Sequence, residues 1–333
     1  MSKRIGHDWK VPAAVLALLF GRYVVSRLLS SRVKDVVNPR QLFAENSRVI
    51  ETSSGNRYHI VREGSNELPP LVLIHGLNSD LRQWFYQRRF FEGKYHLVLL
   101  DLPGHGNSGP ACDLSVKTVS SDLKELLGFL KIRSYILWGH SMGGSIILKY
   151  CRENPNDALL KAIIVQQSPY TNALKTCLGS RLLYPLQKPV LVPVLRMAKR
   201  YSGGIWLMNI AAYLLGLHAL FCRYIFFTGQ QSASQLMFLT RISLECPPHV
   251  TAEGLLMLFQ LEVEASAISG VPALVIGAKD DRLVRADASK ALSEKLAGSE
   301  LKILSGGHQN LLEKNAELNE AVSGFLRTLN SED

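Results

Sequence analysis

The sequence predicts an α/β fold built on a mostly parallel sheet. Apolar runs of strand length alternate with longer segments of helical pattern, and one run leads directly into a glycine-flanked serine. The runs occupy residues 71–77, 97–100, 132–138, 162–165, 271–277 and 301–304. Side chains that follow parallel strands meet at one edge of the sheet, where ligands usually bind. We therefore expect a functional site at that edge.

The run at 132–138 ends in Gly139-His140-Ser141-Met142-Gly143 and is followed by a helical pattern. A G-x-S-x-G segment between a strand and a helix forms a sharp turn that exposes the serine hydroxyl. This hydroxyl is a weak nucleophile unless a base is hydrogen-bonded to it. Ser141 is therefore the predicted nucleophile, and an ordinary helix N-cap is the alternative.

The base and its partner follow later in the chain. The run at 271–277 precedes Lys279-Asp280-Asp281, and the run at 301–304 precedes His308. His308 would accept the serine proton, and an aspartate would hold the imidazole tautomer and stabilise its charged form. Asp280 and Asp281 compete for that role, and Asp280 as a simple turn former remains an alternative.

These motifs resemble the α/β-hydrolase fold superfamily, in its esterase, lipase and thioesterase branch, from about Phe43 to Leu329. The segment 277–280 resembles the family's G-x-x-D acid turn, which favours Asp280. The resemblance implies an eight-stranded, mostly parallel sheet flanked by helices, with a helical cap inserted between strands 6 and 7. Some members place the acid after the preceding strand, but Gln166-Gln167-Ser168 offers no carboxylate there.

The same resemblance implies an oxyanion hole. His75-Gly76 resembles the family's oxyanion turn, so the backbone N–H groups of Leu77 and Met142 are the expected donors to the negatively charged oxygen. Asp101 and His105, in a segment that resembles D-x-P-G-x-G-x-S, and His75 are interpreted as structural. His140, inside the serine turn, is expected to have a packing or hydrogen-bonding role.

Composition is compatible with this fold. The chain has 333 residues, enough for such a core with an insertion, and 47% hydrophobic residues exclude wholesale disorder. Its five cysteines lack paired spacing, so neither a disulfide framework nor a zinc site is expected, and a reducing compartment is favoured. Since a Gly-rich phosphate loop is also absent from the sequence, we expect no cofactor, no metal and no nucleic acid partner.

Charge and apolar patterning divide the chain into four predicted regions. Residues 1–40 form a basic, apolar N-terminal anchor segment, residues 41–168 and 251–333 form the two parts of the core, and residues 169–250 form the helical cap. The total charge is +10, with +6 in the anchor segment and +7 in the cap. Both basic segments are also strongly apolar.

Two apolar stretches are candidates for contact with a membrane. Residues 201–222 carry no formal charge and are long enough to span a bilayer, but a single crossing would separate Ser141 from His308. We interpret this stretch as buried or interfacial cap helices that line an acyl pocket. Residues 11–25 are shorter than a full span and favour an uncleaved anchor or a basic interfacial helix. A helix packed on the protein body is one alternative for them, and an Arg-rich organelle presequence is another.

The sequence thus predicts a serine hydrolase for acyl esters, resembling monoacylglycerol-lipase-like members with an N-terminal anchor. The expected substrate is a lipid-like acyl ester met at a membrane surface. The expected location is membrane-associated, with the catalytic domain on the cytoplasmic side; a soluble cytoplasmic protein is the alternative. A thioesterase or carboxylesterase for acyl groups on an acidic protein is the second candidate. A non-catalytic binding protein on the same fold is the third, and the sequence leaves the oligomeric state open.

Overall fold

The computed structural model describes residues 10–31 and 47–330. Eight strands form one sheet in the order β1-β2-β4-β3-β5-β6-β7-β8, in which β3 to β8 are parallel and the pairs β1/β2 and β2/β4 are antiparallel. The strands are β1 (Ser47–Glu51), β2 (Arg57–Glu63), β3 (Pro70–Ile74), β4 (His96–Leu100), β5 (Tyr135–His140), β6 (Leu160–Gln166), β7 (Ala273–Ala278) and β8 (Glu300–Leu304). The predicted fold class is confirmed.

Helices cover both faces of the sheet, which explains why the central strands are apolar along their whole length. Every residue of β4, β5 and β7 is buried. The helices are α1 (Lys10–Leu28), α2 (Phe85–Phe91), α3 (Val116–Phe129), α4 (Met142–Glu153), α5 (Ala173–Thr176), α6 (Ser180–Leu186), α7 (Val192–Arg200), α8 (Ser202–Leu214), α9 (Leu217–Phe226), α10 (Ala233–Glu245), α11 (Pro248–Leu258), α12 (Ala286–Lys295), α13 (Asn310–Glu313) and α14 (Asn315–Asn330).

The cap consists of the helices α5 to α11, inserted between β6 and β7 as predicted. Its last helix, α11, continues past the expected boundary at residue 250. Val250 and Leu258 of this helix pack in the same apolar cluster as the sheet, so α11 joins the cap to the core. In contrast, α6, α7 and α8 contain no buried residue.

The helix α1 packs against the cap. At Gly21 a Cβ atom would lie 2.9 Å from the carbonyl oxygen of Leu214, and at Gly216 it would lie 2.6 Å from Cβ of Val25. The two glycines therefore allow the backbones of α1 and of the α8–α9 turn to approach closely. Gly216 also has a φ of +80°, which favours glycine. Residues 1–9 and 32–40 of the expected anchor segment lie outside the described residues.

The uncharged stretch 201–222 forms two helices, α8 and α9, which meet at a bend of 88°. Within residues 10–31 and 47–330, no single helix is long and apolar enough to cross a membrane, and only this bent pair has the required length and composition. The expectation that the stretch lines a pocket is met by α9 but not by α8, which exposes Leu207 and Met208 on the outer surface.

Candidate active site

Ser141 occupies the turn between β5 and α4 in a backbone conformation that non-glycine residues rarely adopt, with φ +54° and ψ −119°. The flanking glycines are required by space. A Cβ at Gly143 would overlap the carbonyl oxygen of Ile74, and one at Gly139 would lie 2.5 Å from the nitrogen of Gly144. The turn therefore holds Ser141 in a strained, fixed position, as is common at functional sites.

His308 reaches this serine from the loop after β8. Its Nε2 lies 3.0 Å from Oγ of Ser141, and its Nδ1 lies 2.8 Å from Oδ2 of Asp281. The imidazole is almost fully buried, whereas Ser141 is partly exposed. The structure thus brings Ser141 and His308 together, and the three side chains form one continuous chain of hydrogen bonds.

The carboxylate in this chain is Asp281, so the expectation for Asp280 is wrong. The backbone N–H of Asp281 closes a turn by donating to the carbonyl of Ala278, which places Lys279 and Asp280 at the exposed tip. Asp281 follows the tip and points back toward the sheet edge, with a fully buried side chain. Aligning the G-x-x-D motif on Gly277 selected the wrong aspartate, because the turn is one residue longer than that spacing assumes.

Every oxygen of the Asp281 carboxylate has partners. Oδ1 accepts hydrogen bonds from the backbone N–H groups of Leu283, at 2.8 Å, and of Val284, at 2.9 Å. Oδ2 accepts a hydrogen bond from Nε2 of Gln167, at 2.8 Å, besides its contact with His308. These donors satisfy both oxygens of the buried carboxylate and fix its orientation. Gln167 was not predicted as part of the site, since no catalytic motif contains it.

The turn after β3 packs directly against the serine. A Cβ at Gly76 would lie 3.0 Å from Cβ of Ser141, so only glycine allows this approach. Within the described residues, the backbone N–H groups of Leu77 and Met142 donate to no protein acceptor. Met142 also begins α4, where the helix dipole favours negative charge. An oxyanion hole formed by these two N–H groups stays a prediction, with which this arrangement is compatible.

Two buried histidines, His75 and His105, lie in the turns beside Ser141. Nδ1 of His75 donates to the carbonyl of Gly76, and Nε2 of His75 accepts from the N–H of Leu102. Nδ1 of His105 donates to the carbonyl of Pro103. Burial lowers the pKa of His75 to about 3 and the pKa of His105 to about 4. Both rings are therefore neutral at physiological pH and act as hydrogen-bonding elements of the turns.

His140 supports the base from inside the serine turn. Its Nε2 donates to the backbone carbonyl of His308 at 2.9 Å, and burial lowers the pKa of His140 well below its ordinary value. The expected hydrogen-bonding role of His140 therefore has a defined partner. Asp101 accepts hydrogen bonds from Nδ1 of His59 and from the backbone N–H groups of Leu81 and Asn107, so it fixes the loop after β4.

A cavity of about 710 Å³ lies over Ser141 and His308, between the sheet edge and the cap. Most of its lining is apolar and comes from the cap and the loops that join it to the core. Examples are Leu174, Leu183, Phe221, Phe226, Leu258 and Phe259. Such a cavity has the size and polarity of a site for an apolar ligand. Within residues 10–31 and 47–330, no group of three or more His, Cys, Asp or Glu residues is placed to hold a metal ion.

Comparison with known proteins gives consistent matches. A family model described as "Alpha/beta hydrolase family" matches residues 71–321, which is most of the chain. Among curated proteins, the chain is 32% identical to an (E)-2-((N-methylformamido)methylene)succinate hydrolase of Acinetobacter baylyi over 125 residues, covering 37% of this chain and 46% of that protein. The chain spans at most half of the length of the first curated relatives it matches.

Two solved structures illustrate the structural likeness. An esterase from Thermogutta terrifontis superposes with a TM-score of 0.69 at 18% identity, over 86% of this chain and 99% of that one. A membrane phospholipase A, described as a bacterial virulence factor, superposes with a TM-score of 0.64 at 19% identity, over 97% of this chain and 93% of that one. At these identities the likeness establishes the fold alone.

Proposed function

Because the chain belongs to the Alpha/beta hydrolase family, we propose that it is a serine hydrolase that cleaves carboxylic esters of lipid-like acyl groups. The observation that carries this proposal is the hydrogen-bonded chain from Ser141 through His308 to Asp281, at the base of an apolar cavity. This geometry supplies a nucleophile, a base and an orienting carboxylate within hydrogen-bonding distance of one another.

The proposed reaction has two steps. Oγ of Ser141 attacks the ester carbonyl carbon while Nε2 of His308 accepts the hydroxyl proton, and His308 then returns that proton to the departing alcohol. Water hydrolyses the acyl-enzyme in the second step, again with His308 as the base. The N–H groups of Leu77 and Met142 donate to the oxyanion in both steps, and each such donor typically contributes about 10²–10³ in rate.

The cavity supports an acyl substrate. Ten of the 24 lining residues are leucine or phenylalanine, and the lining extends from Ser141 into the cap. A fatty acyl chain bound there would remove apolar surface from water on both partners, at about 25 cal/mol per Å² buried. A short polar acid would gain nothing from most of this lining, so we propose a medium or long acyl chain.

The outer surface of α1, α8 and α9 supports contact with a membrane. We call the exposed side chains there the apolar surface, defined by Leu16, Leu19, Phe20, Leu207, Met208 and Leu217, all more than half exposed. Arg22 and Arg223 lie on α1 and α9, and Arg200 ends α7 just before α8. Apolar side chains accompanied by cations are typical of segments that bind anionic lipid surfaces.

We further propose that the catalytic domain lies on the cytoplasmic side of that membrane. All five cysteines are free thiols, and four of them are buried. Buried unpaired thiols are common in proteins of a reducing compartment, whereas secreted proteins tend to pair their cysteines. The alternative is that the protein is soluble in the cytoplasm. In that case it would bind vesicles no better than a typical soluble enzyme does.

A thioesterase or carboxylesterase acting on an acidic acyl-carrying protein is the second candidate. The cap carries a net charge of +7, which would attract an acidic partner as well as an anionic lipid. Epoxide hydrolysis in this family uses an aspartate nucleophile at the position of Ser141, so this chain does not favour it. A purely binding role is also disfavoured, because all three side chains of the hydrogen-bonded chain are present.

A substrate profile tests the proposal. Hydrolysis of p-nitrophenyl esters of increasing acyl length, of monoacylglycerols and of acyl thioesters should be measured with the full chain and with Ser141→Ala. We expect kcat/KM for the esters to rise with acyl length and Ser141→Ala to be inactive. A preference for thioesters on an acidic carrier would support the second candidate, and turnover of none of these substrates would contradict hydrolase function.

A further inference from the structure

Gln167 follows β6 and contacts the same carboxylate oxygen of Asp281 as His308 does. Its side chain is fully buried, and both hydrogens of its amide are used. Nε2 donates to Oδ2 of Asp281 at 2.8 Å and to the backbone carbonyl of Gly307 at 2.8 Å. A single amide thus links the end of β6, the acid after β7 and the loop that carries His308.

The backbone of Gln167 is strained. Its φ is +47°, in the left-handed region that glycine adopts freely and that other residues rarely adopt. Glycine at this position would avoid the strain but would lack the amide. A strained glutamine with both amide hydrogens bound to the site is therefore best explained by what its side chain does.

Neighbouring side chains fix which way the amide points. Oε1 of Gln167 accepts from Nε2 of Gln166 at 3.3 Å, and Oε1 of Gln166 in turn accepts from Nε1 of Trp138 at 3.0 Å. The indole N–H can only donate, so the chain of donors runs from Trp138 through both glutamines. It ends at the carboxylate of Asp281 with an N–H donor, as a buried anion requires.

We propose that Gln167 is a positioning residue for the reaction: its amide holds the Asp281 carboxylate aimed at His308, and holds the His308 loop in register with it. This inference rests on the proposed function of Ser141, His308 and Asp281. Oδ2 of Asp281 faces two donors, the imidazole and the amide, so the amide stabilises the carboxylate without competing for the proton of His308. A carboxylate at this position would instead add a second negative charge beside the imidazole.

Two variants of similar size separate this role from a merely structural one. Gln167→Met fills the same volume without a donor, and Gln167→Glu replaces the donor with a second carboxylate. Gln87 offers a matched control, because it is also fully buried and its Nε2 donates to the carbonyl of Leu311 and to Oδ1 of Asn319, both at 3.1 Å. Gln87→Met and Gln87→Glu therefore remove an equivalent buried amide without touching Asp281.

The measurements are kcat, KM, the pH profile of kcat/KM and thermal unfolding of the full chain. We expect Gln167→Met to lower kcat about tenfold with little change in KM, because one charge-assisted hydrogen bond is lost. In Gln167→Glu the acid limb of the pH profile should move up by about one pH unit, because added negative charge favours the protonated imidazole. The Gln87 variants should unfold at a lower temperature but keep the acid limb of the wild-type pH profile.

If a Gln167 variant does not fold, Gln167→Gly replaces it, since glycine accepts the local φ without strain, and the same fall in kcat is expected. If the wild type is active and the Gln167 variants keep its kcat and the acid limb of its pH profile, this inference is overturned and the proposed function stays intact. An equal shift of the limb in Gln87→Glu would also overturn it. Failure of the wild type to hydrolyse any ester would overturn both.

Discussion

The sheet edge and the outer cap differ in how deeply their side chains are buried. At the edge, Ser141, His308 and Asp281 are hydrogen-bonded to one another. The backbone segments around Ser141 approach one another so closely that only glycine fits between them. In α6, α7 and α8, no residue is buried, and Met208 is 70% exposed. A reaction centre needs fixed distances, whereas a surface that meets lipid needs exposed apolar area.

The two regions are joined through α11. Oγ1 of Thr251 donates to Oδ1 of Asn78 at 2.6 Å, and Gly254 faces the side chain of Leu77. Both contacts reach the turn that is proposed to supply an oxyanion donor. The cap is therefore positioned against the reaction centre by its last helix, α11, while its exposed helices α6 to α8 come earlier in the chain.

The largest expected effect on kcat comes from the carboxylate that contacts His308 at the sheet edge. Asp281→Asn should lower kcat by about 10⁴, because the amide would no longer hold the imidazole tautomer that accepts the serine proton. Asp280→Asn should leave kcat within a fewfold of wild type, because Asp280 is exposed at the turn tip. Steady-state ester hydrolysis measures both, and the reverse ranking would move the acid back to Asp280.

The apolar surface should govern vesicle binding and leave the chemistry intact. Leu207→Asp with Met208→Asp places charge on the exposed helix α8, and we expect binding to anionic vesicles to weaken by about tenfold or more. Hydrolysis of a water-soluble ester should be unchanged. Phe129→Asp, at an exposed phenylalanine of α3 outside the cap, is the matched control in the flotation assay. Equal binding by both variants would remove this surface from the proposed membrane contact.

Acid should destabilise the sheet edge through its buried histidines. The pKa of His75 is lowered to about 3 and that of His105 to about 4, whereas an unfolded histidine titrates near about 6.5. The unfolded chain therefore binds more protons below that pH, so their stabilising contribution is complete above about pH 6.5 and is lost as the pH falls toward the folded values. Each contributes a slope of about 1.4 kcal/mol per pH unit.

Urea unfolding between pH 7.5 and 4.5 measures this slope. His105→Asn removes one of the two groups, so its free energy of unfolding should depend less steeply on pH than that of the wild type. An identical slope in the variant would show that folding does not lower the pKa of His105.

The smallest expected effect tests the link between the regions. A Cβ at Gly254 would overlap the side chain of Leu77, so Gly254→Ala should displace the turn and lower kcat a fewfold. Gly128→Ala is the control, because a Cβ there meets no atom within 4 Å and should slightly stabilise α3. If both variants keep wild-type kcat, α11 does not position the turn.

The sequence was informative where chemistry demands a local motif. The turn around Ser141 is a motif of five consecutive residues between a strand and a helix, so it could be recognised directly in the sequence. The choice between Asp280 and Asp281 depended on the length of one turn, which two adjacent aspartates do not reveal. Gln167 carried no signal, because a buried amide acquires its role only from the groups that three separate strands bring to it.

The cap was harder to predict in detail. The stretch 201–222 has one uniform composition, yet Gly216 divides it into one helix that faces outward and one that lines the cavity. Composition could indicate apolar helices but not the 88° bend or the side each helix presents. The contact of α1 with this bend depends on Gly21 and Gly216, which are far apart in the chain.

The central claim, that Ser141 is an activated nucleophile, is tested most directly by labelling the full chain with a fluorophosphonate probe. Peptide mapping should locate the adduct on Ser141, and Ser141→Ala should carry no label under the same conditions. Asp281→Asn should label far more slowly than Asp280→Asn. A probe adduct on another residue, or equal labelling of Ser141→Ala and the wild type, would contradict the account.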